Sequence, residues 1–148
     1  MRNQRAEFRE YEYRIQVKDA GFSLFDDDVQ AADPVVWELL PEDQLFVVGD
    51  RIVSVRARHD ASVRVLVDVR ESAPEANEPN QLLVGECSLD VPSGRIVIAG
   101  SQDYYPDAAR IPVRPALYRV RIYAGSLDTV YGGLRKTQDH YRVVLWLF

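Results

Sequence analysis

A period-two alternation of apolar and polar residues constrains the fold of this chain more than any other feature of its sequence. The alternation recurs over residues 10–18, 63–70, 83–91 and 118–122, and it is typical of strands that bury one face. A fifth run, residues 140–148, begins by alternating and ends apolar in both phases. We therefore predict a strand there whose last part is buried on both faces.

Turn residues separate these runs at the places where hairpins need them. Gly49-Asp50 and Pro92-Ser93-Gly94 each lie between two apolar runs, and such residues favour tight connections between strands. Strands spaced by ~8–12 residues are typical of sandwiches and barrels. A length of 148 residues fits one domain. We predict an all-β fold, a single antiparallel β-sandwich that is jelly-roll-like and forms one domain over residues 1–148.

One short segment has the signals of a helix. Asp33 is placed to cap it, Pro34 suits its first position, and Pro41 would end it. We predict a helix of one or two turns near residues 34–40.

Composition excludes several classes of protein. The hydrophobic fraction of 47% is too high for a disordered chain. A net charge of −5 argues against a nucleic-acid binder, which would carry a basic surplus. The single cysteine excludes an internal disulfide framework. No apolar run approaches the ~18 residues that cross a bilayer, and the charged N-terminus lacks an export signal, so we predict a cytoplasmic protein with no membrane partner.

Acidic residues are concentrated in one part of the chain. Residues 19–50 hold nine acids and no Lys or Arg. One interpretation is that basic strand faces neutralise these charges internally. The alternative is a negative patch at one end of the sandwich, with an aromatic anchor, that binds a basic protein. The residues predicted to form this patch are Asp26, Asp27, Asp28, Trp37, Glu42 and Asp43.

Residues able to bind a metal or to act as nucleophiles are scarce. His59, His140 and Cys87 are the only histidines and the only cysteine, and Asp26–Asp28 lack the spacing of a calcium loop. Cys87 lies in the apolar phase of its strand, which favours a buried, inert thiol. Asp139 and His140 are interpreted as a structural pair at the start of the last strand. We predict no metal, no cofactor and no catalytic residue.

Two further groups of side chains allow alternative interpretations. Tyr104 and Tyr105 are adjacent in a polar loop and could stack on a sugar or lie in an interface, unless one of them folds back over the sandwich. Arginines on the polar strand faces are expected to pair across strands with Glu86, Asp68 or Asp90, and a basic groove is the alternative. These arginines are Arg119, Arg121 and Arg142.

The C-terminal third contains a block of motifs with a recognisable resemblance. Leu127-Asp128-Thr129 and Asp139-His140-Tyr141-Arg142-Val143-Val144-Leu145-Trp146 resemble the usual ending of a set of small uncharacterised bacterial proteins. The order of elements over the whole chain is similar to that of the nuclease inhibitors of the competence protein J type. That similarity implies an inhibitory role and transfers no catalytic residue.

Three functions follow as hypotheses. The first is a non-enzymatic protein-binding domain, an inhibitor or immunity-type partner of a bacterial nuclease or another basic toxin. The second is a β-sandwich that binds a carbohydrate or another small molecule through Tyr104, Tyr105 and Trp37. The third is a hydrolase, for which the scarcity of histidine and cysteine gives least support. The sequence leaves the oligomeric state open.

Overall fold

The protein was analysed as a computed structural model, which describes residues 8–17, 21–29, 35–57, 62–74, 81–100, 103–125 and 140–148. Within these ranges the chain forms ten strands. They are β1 (Phe8–Gln16), β2 (Gly21–Asp26), β3 (Phe46–Gly49), β4 (Ile52–Arg56), β5 (Ser62–Arg70), β6 (Gln81–Val91), β7 (Arg95–Gly100), β8 (Ala109–Pro112), β9 (Ala116–Gly125) and β10 (His140–Leu147).

The strands form two five-stranded sheets. The first sheet has the order β1-β5-β10-β9-β6, and the second has the order β3-β4-β2-β7-β8. The prediction of an all-β sandwich is confirmed. All the pairs are antiparallel except β5 with β10. β10 lies between β5 and β9, parallel to β5 and antiparallel to β9. The jelly-roll-like connectivity stays a prediction.

The core lies between the inner faces of the two sheets. Val63, Val65 and Val67 of β5 are buried there, as the alternation predicts. β-branched side chains suit such strands because they pack well on a pleated surface. In β10 the four residues Val143–Trp146 are all buried, which confirms the prediction of a strand end covered on both faces.

The predicted helix near residues 34–40 is shorter than expected. The structure has a single 3-10 turn, Trp37–Leu39, preceded by Val36, which makes no side-chain cap. Asp33 and Pro34 lie outside the described residues. One hydrogen-bonded turn cannot offset the cost of helix nucleation alone, so packing of Trp37 must hold it. No helix in the described ranges is long and apolar enough to cross a membrane.

Strand β2 spans the sandwich from one end to the other, and different residues and turns lie at the two ends. At the Gly21 end, Gly21 pairs with Arg56 of β4, and the Tyr141 hydroxyl donates a hydrogen bond of 3.4 Å to the Arg56 carbonyl. At the Asp26 end lies the turn that joins β6 to β7, in which Gly94 has a φ of 77°. The Asp26 end also holds the first residues of β1 and β9 and the last residues of β5 and β10.

Candidate protein-binding surface

The predicted acidic patch does not form a single cluster. Asp26, Asp27 and Asp28 lie at the Asp26 end, whereas Trp37 packs beside Gly21 at the other end of β2. Five residue steps along a strand separate these ends by about 17 Å. The expectation that the three aspartates lie beside Trp37 is therefore wrong, because β2 is extended.

The Asp26 carboxylate forms its hydrogen bonds within the protein. Its side chain is fully buried. Its carboxylate accepts hydrogen bonds from the Ser93 backbone N–H (3.0 Å), the Ser93 hydroxyl (2.7 Å) and the Asp28 backbone N–H (3.0 Å). Asp26 thus fastens the β6–β7 turn to the end of β2 and offers no charge to a partner.

Asp27 is neutralised by two arginines, and Asp28 faces solvent. The Arg95 Nε donates to Asp27 Oδ2 at 2.7 Å, and Arg110 Nη2 donates to Oδ1 at 3.2 Å. The hydrogen bond from Arg95, supported by Arg110, lowers the pKa of the Asp27 carboxyl. Asp28 is exposed. For Asp27 the interpretation of neutralisation by basic strand residues therefore holds, whereas Asp26 is held by hydrogen bonds from Ser93 and the Asp28 backbone.

Replacing Asp26 with alanine is expected to lower the free energy of unfolding by about 3 kcal/mol. The substitution leaves the Ser93 and Asp28 backbone N–H groups without their acceptor in a partly buried position, and each such loss costs about 1–3 kcal/mol. Urea denaturation measures the change. The control is Asp28→Ala, which keeps that backbone donor and removes an exposed carboxylate, and we expect it to cost less than about 0.5 kcal/mol. Equal losses for the two variants would contradict the assignment.

Trp37 anchors residues 35–45, the segment that leads into β3, to the second sheet. It is buried, and a Cβ atom on Gly21 would lie 2.7 Å from its Nε1, so the glycine makes room for the indole. The Arg56 guanidinium covers the other side of the ring at 5.2 Å from its centroid. The prediction that this ring anchors a partner is not supported by its position, since the residue is only 5% exposed.

Arg56 holds the backbone of the segment after Trp37 in one conformation. Its Nη2 donates to the Trp37 carbonyl at 3.0 Å, and its Nη1 donates to the carbonyls of Pro41 (2.9 Å), Gln44 (3.3 Å) and Glu42 (3.4 Å). A planar guanidinium presents several donors in a fixed geometry. A single side chain of β4 therefore fixes the backbone of this segment against the second sheet.

The outward side of this segment combines acids with exposed apolar groups. Leu39 is 80% exposed and Val36 is 52% exposed. The acids around them, Glu38, Glu42 and Asp43, are exposed as well. We call these five residues the 36–43 surface. Sequence analysis found Glu42 and Asp43 but missed Val36, Glu38 and Leu39, because a helical interpretation places part of an apolar run on a buried face.

The two tyrosines do not act as a pair. The Tyr105 ring lies 4.9 Å from that of Phe25 on the outer face of the second sheet, and its burial raises the pKa of its hydroxyl. Tyr104 is 70% exposed. One tyrosine does fold back, but onto the outer face of the second sheet and not over the sandwich end, so the two rings do not lie together as one stacking surface.

The arginines on the outer face of the first sheet pair across strands, as predicted. Glu86 contacts both Arg119 (3.0 Å) and Arg121 (2.9 Å), while Arg142 lies 2.7 Å from Asp68. The hydrogen bond from Arg119, with that from Arg121, lowers the pKa of Glu86. These arginines belong to ion pairs of the sheet and form no separate basic groove.

The described residues bring together no cluster of three His, Cys, Asp or Glu side chains that could hold a metal. Cys87 is buried, and burial raises the pKa of its thiol, so the prediction of a buried thiol is confirmed. His140 starts β10 and is half-buried. His59 and Asp139 lie outside the described residues, so the predicted pair of Asp139 and His140 stays a prediction.

Two solved structures share this fold. One is the crystal structure of ComJ, inhibitor of the DNA degrading activity of NucA, from Bacillus subtilis, with a TM-score of 0.67 at 11% identity over 96% of this chain and 99% of that chain. The other is crocagin biosynthetic gene J, with a TM-score of 0.64 at 16% identity over 97% of this chain and 99% of that chain. The sequence matches no protein-family model and no curated protein. The layout resemblance to the competence protein J type is thus matched by the fold.

Proposed function

We propose that this chain is a non-enzymatic protein-binding domain that inhibits a nuclease or another basic protein through its 36–43 surface. The observation that carries the proposal is a segment fixed by Arg56 that exposes three carboxylates and two aliphatic side chains within eight residues. The likeness of the fold to an inhibitor of a DNA-degrading enzyme supports the same role.

The chemistry of this surface suits a basic partner. Nucleases bind the phosphate backbone of DNA through Lys and Arg side chains, and exposed carboxylates can occupy those cations. Charges at the rim of an interface mainly increase the rate of association. Leu39 and Val36 would supply the apolar contact that such charges surround.

In this proposal residues 1–148 act as one sandwich domain in the cytoplasm. The domain needs no cofactor and binds neither nucleic acid nor a membrane. The exposed Asp28 lies at the other end of β2 and is assigned no contact with the partner.

An inhibition assay tests the proposal. The purified full chain is titrated into a DNA-degrading nuclease of the NucA type encoded in the same genome, and DNA cleavage is followed. We expect stoichiometric inhibition by the wild type. The triple variant Glu38→Lys, Glu42→Lys, Asp43→Lys should need at least about tenfold more protein, a change that corresponds to 1.4 kcal/mol.

The matched control moves the same charge to other exposed acids. The variant Asp28→Lys, Asp90→Lys, Asp107→Lys has the same net charge, and its three positions are exposed away from the 36–43 surface. We expect it to inhibit like the wild type. Loss of inhibition in both triple variants would mean that only net charge matters. Full inhibition by the variant altered at Glu38, Glu42 and Asp43 would reject this surface.

A further inference from the structure

Strand β1 ends the first sheet, and one edge of its backbone has no strand partner among the described residues. It pairs with β5 on one side, and no described strand pairs with it on the other. Its nine residues include no Pro and no Gly, so this edge presents an uninterrupted row of backbone N–H and C=O groups. Such an edge is a template for a further strand.

The other sheet edges in the described ranges are less open. β3 and β8 have four residues each, and Pro112 of β8 has no N–H to donate. β6 is long, but its register shifts between Leu83 and Gly85, and a Cβ atom on Gly85 would collide with the Phe46 ring of β3. Short strands, prolines and bulges protect edges from pairing. β1 is therefore the edge best suited to bind another strand.

The outer face of β1 carries a cation without an acidic partner. Arg14 is exposed and lies directly opposite Arg64 in the pairing of β1 with β5. Arg64 pairs with Glu12 at 2.8 Å, whereas Arg14 forms no ion pair in the part of the chain that the structure describes. Like charges opposite each other in a sheet are unfavourable. An acid on the open side of β1 would compensate Arg14.

We propose that β1 pairs with β1 of a second copy of this chain, antiparallel across a twofold axis at Tyr13. In this register Glu12 of each copy lies opposite Arg14 of the other, so that both arginines gain an acid. A twofold axis makes every such contact occur twice. The two first sheets would thereby join into one sheet.

Charge complementarity selects this register over its neighbours. A shift that puts the axis at Glu12 places the two Glu12 side chains opposite each other, and an axis at Tyr11 places Glu10 opposite Glu12. A shift by a single residue pairs outward side chains with inward ones. With the axis at Tyr13, Glu10 meets Gln16 and no like charges lie opposite each other over residues 10–16.

The inward side of β1 supplies apolar contact in the same register. The rings of Tyr11 and Tyr13 are stacked, with centroids 6.4 Å apart, and both residues are only half-buried. The register places Tyr13 opposite its own copy and Tyr11 opposite Ile15. Aromatic pairs and aromatic pairs with β-branched residues are favourable across strands.

This interface is separate from the proposed inhibitory surface. β1 packs against β7, whereas the 36–43 surface precedes β3, which packs against β6 at the other edge of the first sheet. The dimer is therefore independent of inhibition.

Sedimentation velocity of the full chain over a range of concentrations tests the proposal. We expect a reversible monomer–dimer equilibrium with a dissociation constant on the order of 10–100 µM, because each cross-strand pair contributes little. Glu12→Arg and Arg14→Glu should each weaken dimerisation by about tenfold or more, since the twofold axis turns two attractive contacts into two repulsive ones. Unchanged circular dichroism checks that each variant folds.

Mixing the two variants separates this register from a general effect of charge. In the mixed dimer every contact between positions 12 and 14 joins an arginine to a glutamate, so its affinity should return to within about threefold of the wild type. Arg114→Glu reverses the same charge at an exposed position outside β1 and should dimerise like the wild type. A wild type that stays monomeric up to about 1 mM, equal weakening by Arg114→Glu, or a mixture that associates no more tightly than either variant alone would overturn the proposal.

Discussion

Replacing Arg142 with methionine is expected to lower the free energy of unfolding by about 3–5 kcal/mol, the usual loss when one partner of a buried ion pair is removed. Asp68 of β5 is fully buried between β1 and β10, and Arg142 lies 2.7 Å from its carboxylate. The next cation, Arg70, is 3.7 Å away. Without Arg142 the buried charge loses its main compensation, and urea denaturation at neutral pH measures the loss.

The effect should depend on pH in a defined direction. Burial raises the pKa of Asp68, the Glu10 carboxylate adds to this shift, and Arg142 and Arg70 oppose it. A raised pKa in the folded state means that the native protein takes up a proton before the unfolded chain does. The loss caused by Arg142→Met should therefore shrink as the pH falls from 7 towards the pKa of an ordinary carboxyl group.

An exposed ion pair on the same sheet provides the control. Arg64 lies 2.8 Å from Glu12, but the two side chains are 45% and 51% exposed. Pairs of this kind contribute about 0–1 kcal/mol, so Arg64→Met should change stability little and without the same pH dependence. If Arg142→Met and Arg64→Met had equal effects, the assignment of Asp68 and Arg142 as a buried pair would be wrong.

Trp37→Ala is expected to destabilise the protein by about 3–5 kcal/mol, as large-to-small changes of buried aromatic residues do. The indole fills the space between Gly21 and the Arg56 guanidinium. Its loss leaves a cavity and releases the segment that Arg56 organises. Thermal and urea unfolding measure the change, and inhibition should weaken with it.

Leu39→Ala is the companion variant for Trp37→Ala. Leu39 is two residues away and 80% exposed, so its loss should cost less than about 0.5 kcal/mol of stability while still weakening partner binding. The opposite outcome is informative. If Trp37→Ala kept full stability and lost binding, the tryptophan would contact the partner directly.

The five strands of the first sheet were predictable because their pattern is local, whereas β2 and β8 were not predicted. Val63, Val65 and Val67 alternate with other residues in the sequence and face the core in the structure. The turns at Gly49 and Gly94 follow from residues that favour tight connections. The parallel pairing of β5 with β10 was not predictable, since its partners, such as Arg64 and His140, are 76 residues apart along the chain and the pairing depends on the order of strands in the sheet.

Whether an individual acidic residue is buried or exposed depends on its tertiary contacts. In β2 the Asp26 side chain is buried at an alternate position, as those of Phe22 and Leu24 are. Because Asp26 begins a run of three aspartates, this burial is not evident from the sequence. Asp68 shares the polar phase of Arg64, yet β1 and β10 flank it on both sides and bury it. The alternating pattern shows which face of the strand a side chain points to, but not which neighbouring strands cover that face. The burial of Asp26 and Asp68 could therefore not be derived from the sequence.

The direction of the aromatic rings had no sequence signal either. Tyr105 lies in a polar, turn-rich segment, and Trp37 lies in the short apolar run 35–40 before Pro41, so neither context shows which way the ring points. Each packs on the outer face of the second sheet, against Gly21 and Phe25 respectively. The aliphatic residue Leu39, in the same turn as Trp37, is the one that faces solvent.

The most direct test of the proposed function is the rate at which this protein associates with the nuclease, measured by stopped-flow fluorescence at low and high salt. If the carboxylates of Glu38, Glu42 and Asp43 steer association, the wild-type rate should fall about tenfold or more as salt screens them. Their reversal to lysine should slow association at low salt and remove the salt dependence, while the Asp28, Asp90, Asp107 control behaves like the wild type. An association rate that ignores both salt and the three substitutions would contradict the account.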